Sequence, residues 1–257
     1  LSPDQSHVAF VSAEKVQIAD LSTSEITVLG PEAAGPIRFD DAGRRLAWIT
    51  TTGRAVTIAA DGTGRRDVLA DNGMALGSDA LLSADGKRLF ATARLAGAEA
   101  PNAIVAADLA SDTRTFTKLY EPANGVLTGG LDLAAGGAFI VFVQHTPGAK
   151  PESALRLLSA DGGDMRTLAR APAIGGFCLS QRATRISFSA RGAAGRLLLF
   201  ECGLTPDPAS GEILTRRLAE VDGADCLAPA AGPDWTIVYL LVKRGEAPAT
   251  VARVTHK

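Results

Sequence analysis

The stretch SPDQSHVAF (2–10) decides the fold, because it recurs along the chain. Weaker forms stand at 40–48 (DDAGRRLAW), 83–91 (SADGKRLFA), 134–142 (AAGGAFIVF), 180–188 (SQRATRISF) and 231–239 (AGPDWTIVY). Each copy is a small or acidic residue, a turn, often a glycine or a basic residue, and then an apolar strand. The first apolar position falls at Val8, Leu46, Leu89, Ile140, Ile186 and Ile237. The mean interval is about 46 residues, a period that belongs to propellers and solenoids.

A second element keeps step with the first. Strand, turn, strand reads as VQIADLSTSEITVL (16–29), VTIAADGTGRRDVL (56–69), AIVAADLASDTRTFTKL (103–119) and LRLLSADGGDMRTL (155–168). LLLFECGLTPDPASGEIL (197–214) reads as the same hairpin with an enlarged loop. Asp20, Asp61, Asp108 and Asp161 close the first strand and open the turn. An aspartate there bonds the backbone two residues on, and Gly62 or Gly162 supplies the positive φ of a tight turn. Calcium ligation is the rival reading, but no copy has the dense acidic spacing of a calcium loop.

A short strand precedes each repeated turn: PIRF (36–39), ALGSDALL (75–82), LTGGLDL (127–133) and GGFCLS (175–180). Apolar residues alternate or run in fours and fives between Gly, Pro, Asp and Ser, with almost no helical period. The prediction is an all-β, six-bladed β-propeller with four-stranded antiparallel blades. It forms a single domain over 1–257, with blades at 1–34, 35–73, 74–124, 125–171, 172–221 and an incomplete 222–257. The chain opens at Leu1, inside the first motif, and its last unit lacks a fourth strand. The expectation is a trimmed N-terminus, with upstream residues supplying the closing strand that a ring needs to hide its edges.

Composition narrows the function. The 257 residues carry 26 Lys+Arg against 28 Asp+Glu, are 46% apolar, and have a net charge of −2. That balance argues against disorder and against a nucleic-acid surface. No apolar run reaches the roughly 18 residues of a membrane helix. Cys178, Cys202 and Cys226 have no CxxC spacing, which excludes the usual zinc arrangements. They read as buried small hydrophobes, the alternative being a bridge between Cys202 and Cys226.

On Ser2-Pro3-Asp4 followed by VAF, on SADGKRLF (83–90), and on the ADG turns at 60–62 and 160–162, the chain resembles the TolB-like family of β-propeller repeats. The resemblance implies a bacterial envelope protein, periplasmic or otherwise extracytoplasmic, with a protein partner. Similar repeats also cover the active site of prolyl-oligopeptidase-type serine peptidases. The resemblance is specific for fold and poor for function.

No catalytic pattern is complete. His7, His145 and His256 fall on separate repeat units, there is no GxSxG elbow, and no phosphate-binding glycine loop follows a strand. Gly129–Gly130 and Gly175–Gly176 read as close packing at the inner strands. Phe10, Trp48, Phe142, Phe188 and Tyr239 share one repeat position, which predicts sheet-to-sheet packing. Asp40, Asp79, Asp132 and Asp225 are candidates for a channel edge, with strand-end turn capping the favoured role. The candidate binding loops are Arg94–Asn102, His145–Ser153 and Thr205–Gly211. The expectation is therefore a non-catalytic scaffold with no catalytic, cofactor-binding or metal residues, no cofactor and no nucleic-acid partner. The alternatives are the propeller of a larger hydrolase and a small-molecule or glycan-binding propeller.

Overall fold

The computed structural model describes residues 1–70, 73–111, 115–123, 126–179, 184–192, 195–206, 213–220, 225–231, 237–243 and 248–255. The chain divides into two compact units, Leu1–Ala123 and Asn124–Lys257. In both, each sheet is an antiparallel meander whose neighbours in space are neighbours in sequence.

The first unit holds three sheets. One is β1 (His7–Ser12), β2 (Lys15–Asp20) and β3 (Ile26–Pro31). The next is β4 (Arg38–Phe39), β5 (Arg45–Ile49), β6 (Ala55–Ala59) and β7 (Arg66–Val68). The third is β8 (Met74–Leu82), β9 (Arg88–Leu95), β10 (Ala103–Asp108) and β11 (Phe116–Tyr120). The hairpin of β1 and β2 is closed by only Ala13 and Glu14, since Ser12 pairs with Lys15. Both turn residues have positive φ, 49° and 58°, as a tight turn matched to strand twist requires.

The second unit repeats the plan. Its first sheet is β12 (Val126–Ala134), β13 (Phe139–Thr146), β14 (Glu152–Ser159) and β15 (Met165–Ala171). Its second is β16 (Ile174–Leu179), β17 (Arg185–Arg191), β18 (Leu197–Gly203) and β19 (Thr215–Ala219). Its third is β20 (Asp225–Ala231), β21 (Ile237–Lys243) and β22 (Thr250–Thr255). Among the described residues the first and last sheets of the chain thus have three strands, and the others four. Helix is confined, among the same residues, to a single 3-10 turn at Ala135–Gly137.

The opening strands β8, β12, β16 and β20 each slip register against the next strand, so each carries a bulge. A glycine there lets strands approach closely. A Cβ added at Gly175 would come within 2.8 Å of Ser189 Oγ on β17, in keeping with the close packing expected of Gly175–Gly176.

Within each unit the core lies between consecutive sheets, because the sheets there have apolar residues on the faces they turn to one another. Trp48 on β5 is fully buried with Val16, Ile18 and Leu29 of the preceding sheet. Its indole N–H donates to the Pro31 carbonyl at 3.1 Å, so its one polar group is satisfied. Losing such a side chain costs about 3–5 kcal/mol. On the other face of β5, Ala47 and Ile49 pack with Leu82, Leu89 and Phe116 of the following sheet. In the second unit Phe188 packs with Val141, Leu155 and Leu168. Phe142 is also buried, while Phe10 is half-exposed, and the side chain of Tyr239 lies outside the described residues.

The Cys202–Cys226 bridge does not occur, and all three cysteines are thiols. Strand parity explains this. Cys202 faces the apolar cluster shared with the preceding sheet, whereas Cys226 packs with Leu199, Val238 and Cys178 in a separate cluster. Cys202 and Cys226 behave as the small buried hydrophobes expected of them.

Candidate functional site

The repeated motif folds as one turn built three times in the first unit. Ser2, Asp40 and Ser83 hold its first position and are buried. Three residues on, Gln5, Gly43 and Gly86 adopt φ of 60°, 68° and 67°. Their amides donate to the carbonyls of Ser2, Asp40 and Ser83 at 2.8–2.9 Å. Side chains lock the turn. Ser2 Oγ donates to Asp4 Oδ1 at 2.6 Å and accepts the His7 amide at 2.9 Å. Asp40 takes over the serine's role, its Oδ1 accepting the amides of Arg44 at 2.7 Å and Arg45 at 3.2 Å.

The hairpin aspartates act as their position predicts. Asp20, Asp61, Asp108 and Asp161 accept the amides of Ser22, Thr63, Ala110 and Gly163, each two residues on, at 2.7–3.0 Å. Gly62 and Gly162 supply the positive φ, 83° and 85°. These carboxylates are turn caps. Among the described residues no group of three or more His, Cys, Asp or Glu could hold a metal ion.

The four channel-edge candidates divide by role. Asp40 caps a turn, as favoured from sequence. Asp132 accepts its own neighbour's amide, Leu133, at 2.9 Å within the bulge of β12. Asp79 and Asp225 instead tie adjacent sheets together. Asp79 on β8 lies 3.7 Å from Arg38 Nε on β4. Asp225 on β20 accepts the Leu197 amide on β18 at 2.8 Å. Sequence spacing gives no hint of these two contacts, because their partners lie 41 and 28 positions back.

The three candidate loops do not share one end of their sheets. Arg94–Asn102 and His145–Ser153 join second strands to third strands, where His145 Nδ1 lies 3.2 Å from Ser153 Oγ. Thr205–Gly211 joins a third strand to a fourth, so it leaves the opposite end. Residues 207–211 of that loop, and His256, lie outside the described residues.

Two recesses open at this latter end, one in each unit. The first, about 520 Å³, is lined by Thr184, Arg185, Glu201, Cys202, Thr215 and Arg216. Glu201 is buried, and its Oε1 accepts from Arg185 Nη1 at 2.8 Å and Arg216 Nε at 3.1 Å. One carboxylate thus fixes two half-exposed guanidiniums. Burial, and then the Glu201 charge, push the neighbouring Cys202 thiol up to about 12. The second recess, about 350 Å³, lies between the turns of the second and third sheets, lined by Asp40, Arg44, Arg45, Arg66, Asp85 and Lys87.

One cluster escapes the sequence patterns. Ser6 Oγ and His7 Nδ1 share a hydrogen bond of 2.6 Å, and His7 Nε2 lies 3.8 Å from Asp20 Oδ2. A signal for it exists, since hairpin register sets His7 directly opposite Asp20. Ser6 Oγ also donates to Asp4 Oδ1 at 2.7 Å, and its role toward His7 Nδ1 follows the tautomer of the imidazole. Asp4 also accepts the Ser6 amide at 3.1 Å, so the cluster is tied into the turn before β1.

No protein-family model matches the sequence, and no curated protein matches it. Solved structures do match in fold. TolB from Acinetobacter baumannii is 16% identical with a TM-score of 0.62, across 99% of this chain and 59% of that one. An oligogalacturonate lyase from Vibrio parahaemolyticus is 11% identical with a TM-score of 0.70, across 99% and 76%. A prolyl endopeptidase is 14% identical with a TM-score of 0.67, across 97% of this chain and 40% of that one. The chain therefore spans about three-fifths of that TolB's length. The fold is all-β and of the propeller kind, and two of these structures are enzymes of different classes, a lyase and an endopeptidase.

Proposed function

We propose that the chain is a six-bladed propeller that serves as a non-catalytic protein-interaction scaffold in the bacterial cell envelope. The observation that carries this reading is the engagement of the repeated polar residues. Ser2, Asp4, Asp40, Ser83, Asp85 and the hairpin aspartates have side chains committed to local turns. Repeating one turn chemistry while the connecting loops differ in length and sequence is how a rigid scaffold presents a recognition surface. The likeness to TolB supports the envelope compartment and a protein partner. Among the described residues no helix is long and apolar enough to cross a membrane.

The test is reconstitution. A partner captured from an envelope fraction should, once purified, form a complex of fixed stoichiometry with the purified chain. Failure of every captured protein to bind in purified form would count against the scaffold.

A second reading, the propeller portion of a larger hydrolase, is favoured by the likeness to the prolyl endopeptidase, of which this chain spans 40%. A GxSxG elbow followed by ordered Asp and His elsewhere in the full-length gene would select it. A third, a small-molecule or glycan-binding propeller, draws on the lyase likeness and predicts saturable binding of a ligand such as an oligouronide.

A further inference from the structure

We propose that the recess between the turns of the second and third sheets is an oxyanion-binding site, taking a carboxylate or phosphate group. This goes beyond the scaffold reading and does not depend on it. Four cationic side chains, Arg44, Arg45, Arg66 and Lys87, line the recess against two carboxylates, Asp40 and Asp85. One oxygen of each carboxylate is engaged in its own turn. Asp40 Oδ1 accepts the amides of Arg44 and Arg45. Asp85 Oδ1 accepts from Ser83 Oγ at 2.6 Å and from the Lys87 amide at 3.0 Å.

Two of the cations, Arg45 and Arg66, are oriented by neutral oxygens, while Arg44 and Lys87 reach out from exposed positions. Arg45 Nη2 donates to Thr57 Oγ1 at 2.9 Å and to the Gly64 carbonyl at 3.2 Å. Its Nε is buried with no hydrogen-bond partner. Arg66 Nη1 donates to the Leu109 carbonyl at 2.6 Å, bridging the two sheets. Among the described residues, none of the four forms an ion pair with a carboxylate within 4.0 Å. The guanidiniums of Arg45 and Arg66 are thus held in place with no carboxylate within 4.0 Å. That is the arrangement that gives charge-assisted hydrogen bonds to an arriving oxyanion.

The repeat itself builds the site. Arg44 and Lys87 occupy the same position of consecutive motif copies, directly after the positive-φ glycines Gly43 and Gly86. Packing two such turns side by side sets one cation on each wall. The volume, about 350 Å³, suits a small anion or one acidic group of a larger ligand.

Calorimetric titration of the purified chain with inorganic phosphate, and separately with citrate, in low-salt buffer tests the site. Saturable binding of either is expected. Binding of phosphate alone identifies a phosphoryl ligand, and binding of citrate a carboxylate one. Arg44→Gln with Lys87→Gln, two exposed side chains, should weaken binding at least tenfold. Arg216→Gln in the other unit should leave it unchanged. No saturable binding of either anion would overturn the proposal. Equal binding by the double variant, with its strand spectrum intact, would overturn it as well.

Discussion

Ser83 Oγ donates to Asp85 Oδ1 at 2.6 Å while accepting the Arg88 amide at 2.9 Å, so one buried hydroxyl closes both sides of the turn into β9. Ser2 and Asp4 repeat the arrangement at the start of β1. Ser83→Ala leaves the Arg88 amide without its acceptor in a part-buried site, an expected loss of about 1–2 kcal/mol. Chemical denaturation checks this, and Ser83→Asp, which copies Asp40, should recover most of it.

The turn Ala13-Glu14 holds two non-glycine residues at φ of 49° and 58°. A left-handed conformation costs roughly 1 kcal/mol per ordinary residue. Ala13→Asn with Glu14→Gly should therefore stabilise the chain by about 1 kcal/mol, read as a raised melting temperature. Unchanged or lowered melting would show that this hairpin is not held as described.

Acid should loosen the turns in a defined window. Hydrogen bonds from the Ser2 and Ser6 hydroxyls and the Ser6 amide lower Asp4 to about 2. The Ser22 hydroxyl and the Thr23 and Ser22 amides lower Asp20 to about 2. The Thr63 hydroxyl and amide depress Asp61 in the same direction. The Ser83 hydroxyl, and then the Lys87 amide, do so for Asp85. A carboxyl whose native value lies below its unfolded value of about 4 adds stability that is complete above pH 4 and is lost as pH falls to about 2. Stability should accordingly be level from about pH 7 to 4.5 and fall steeply between about pH 4 and 2. Replacing Asp4 and Asp20 by Asn should flatten that fall.

Thiol chemistry should follow burial. Cys178 is half-exposed, while Cys202 and Cys226 are buried. With the Cys202 thiol pushed up to about 12, native labelling by iodoacetamide at about pH 8 should modify Cys178 first and leave Cys202 untouched until the chain unfolds. The raised value carries a stability sign of its own. The protonated thiol's contribution is complete below about pH 9 and declines as pH rises toward about 12. Mass spectrometry of the labelled peptides checks the order.

What the sequence reveals and what it hides divides by range. The turns at Asp20, Asp61, Asp108 and Asp161 are legible because the bond formed, two residues long, is written in local sequence. The strands are legible because a period of two and a repeat of about 46 residues agree. The Asp79–Arg38 and Asp225–Leu197 contacts are not, since they depend on how one sheet stacks on the next. The basic recess is hidden for the same reason: Arg44 and Lys87 are 43 positions apart, and only packing brings their turns together. The Ser6–His7–Asp20 cluster lies between these cases, because it needs hairpin register and nothing more.

That cluster also provides the most direct test of the scaffold reading. The purified chain should be assayed against ester, peptide and uronide substrates beside the Ser6→Ala and His7→Ala variants. The scaffold reading predicts no turnover above buffer in any of the three proteins, with partner binding retained. Turnover by the parent chain that either variant abolishes, while its fold is kept, would contradict it.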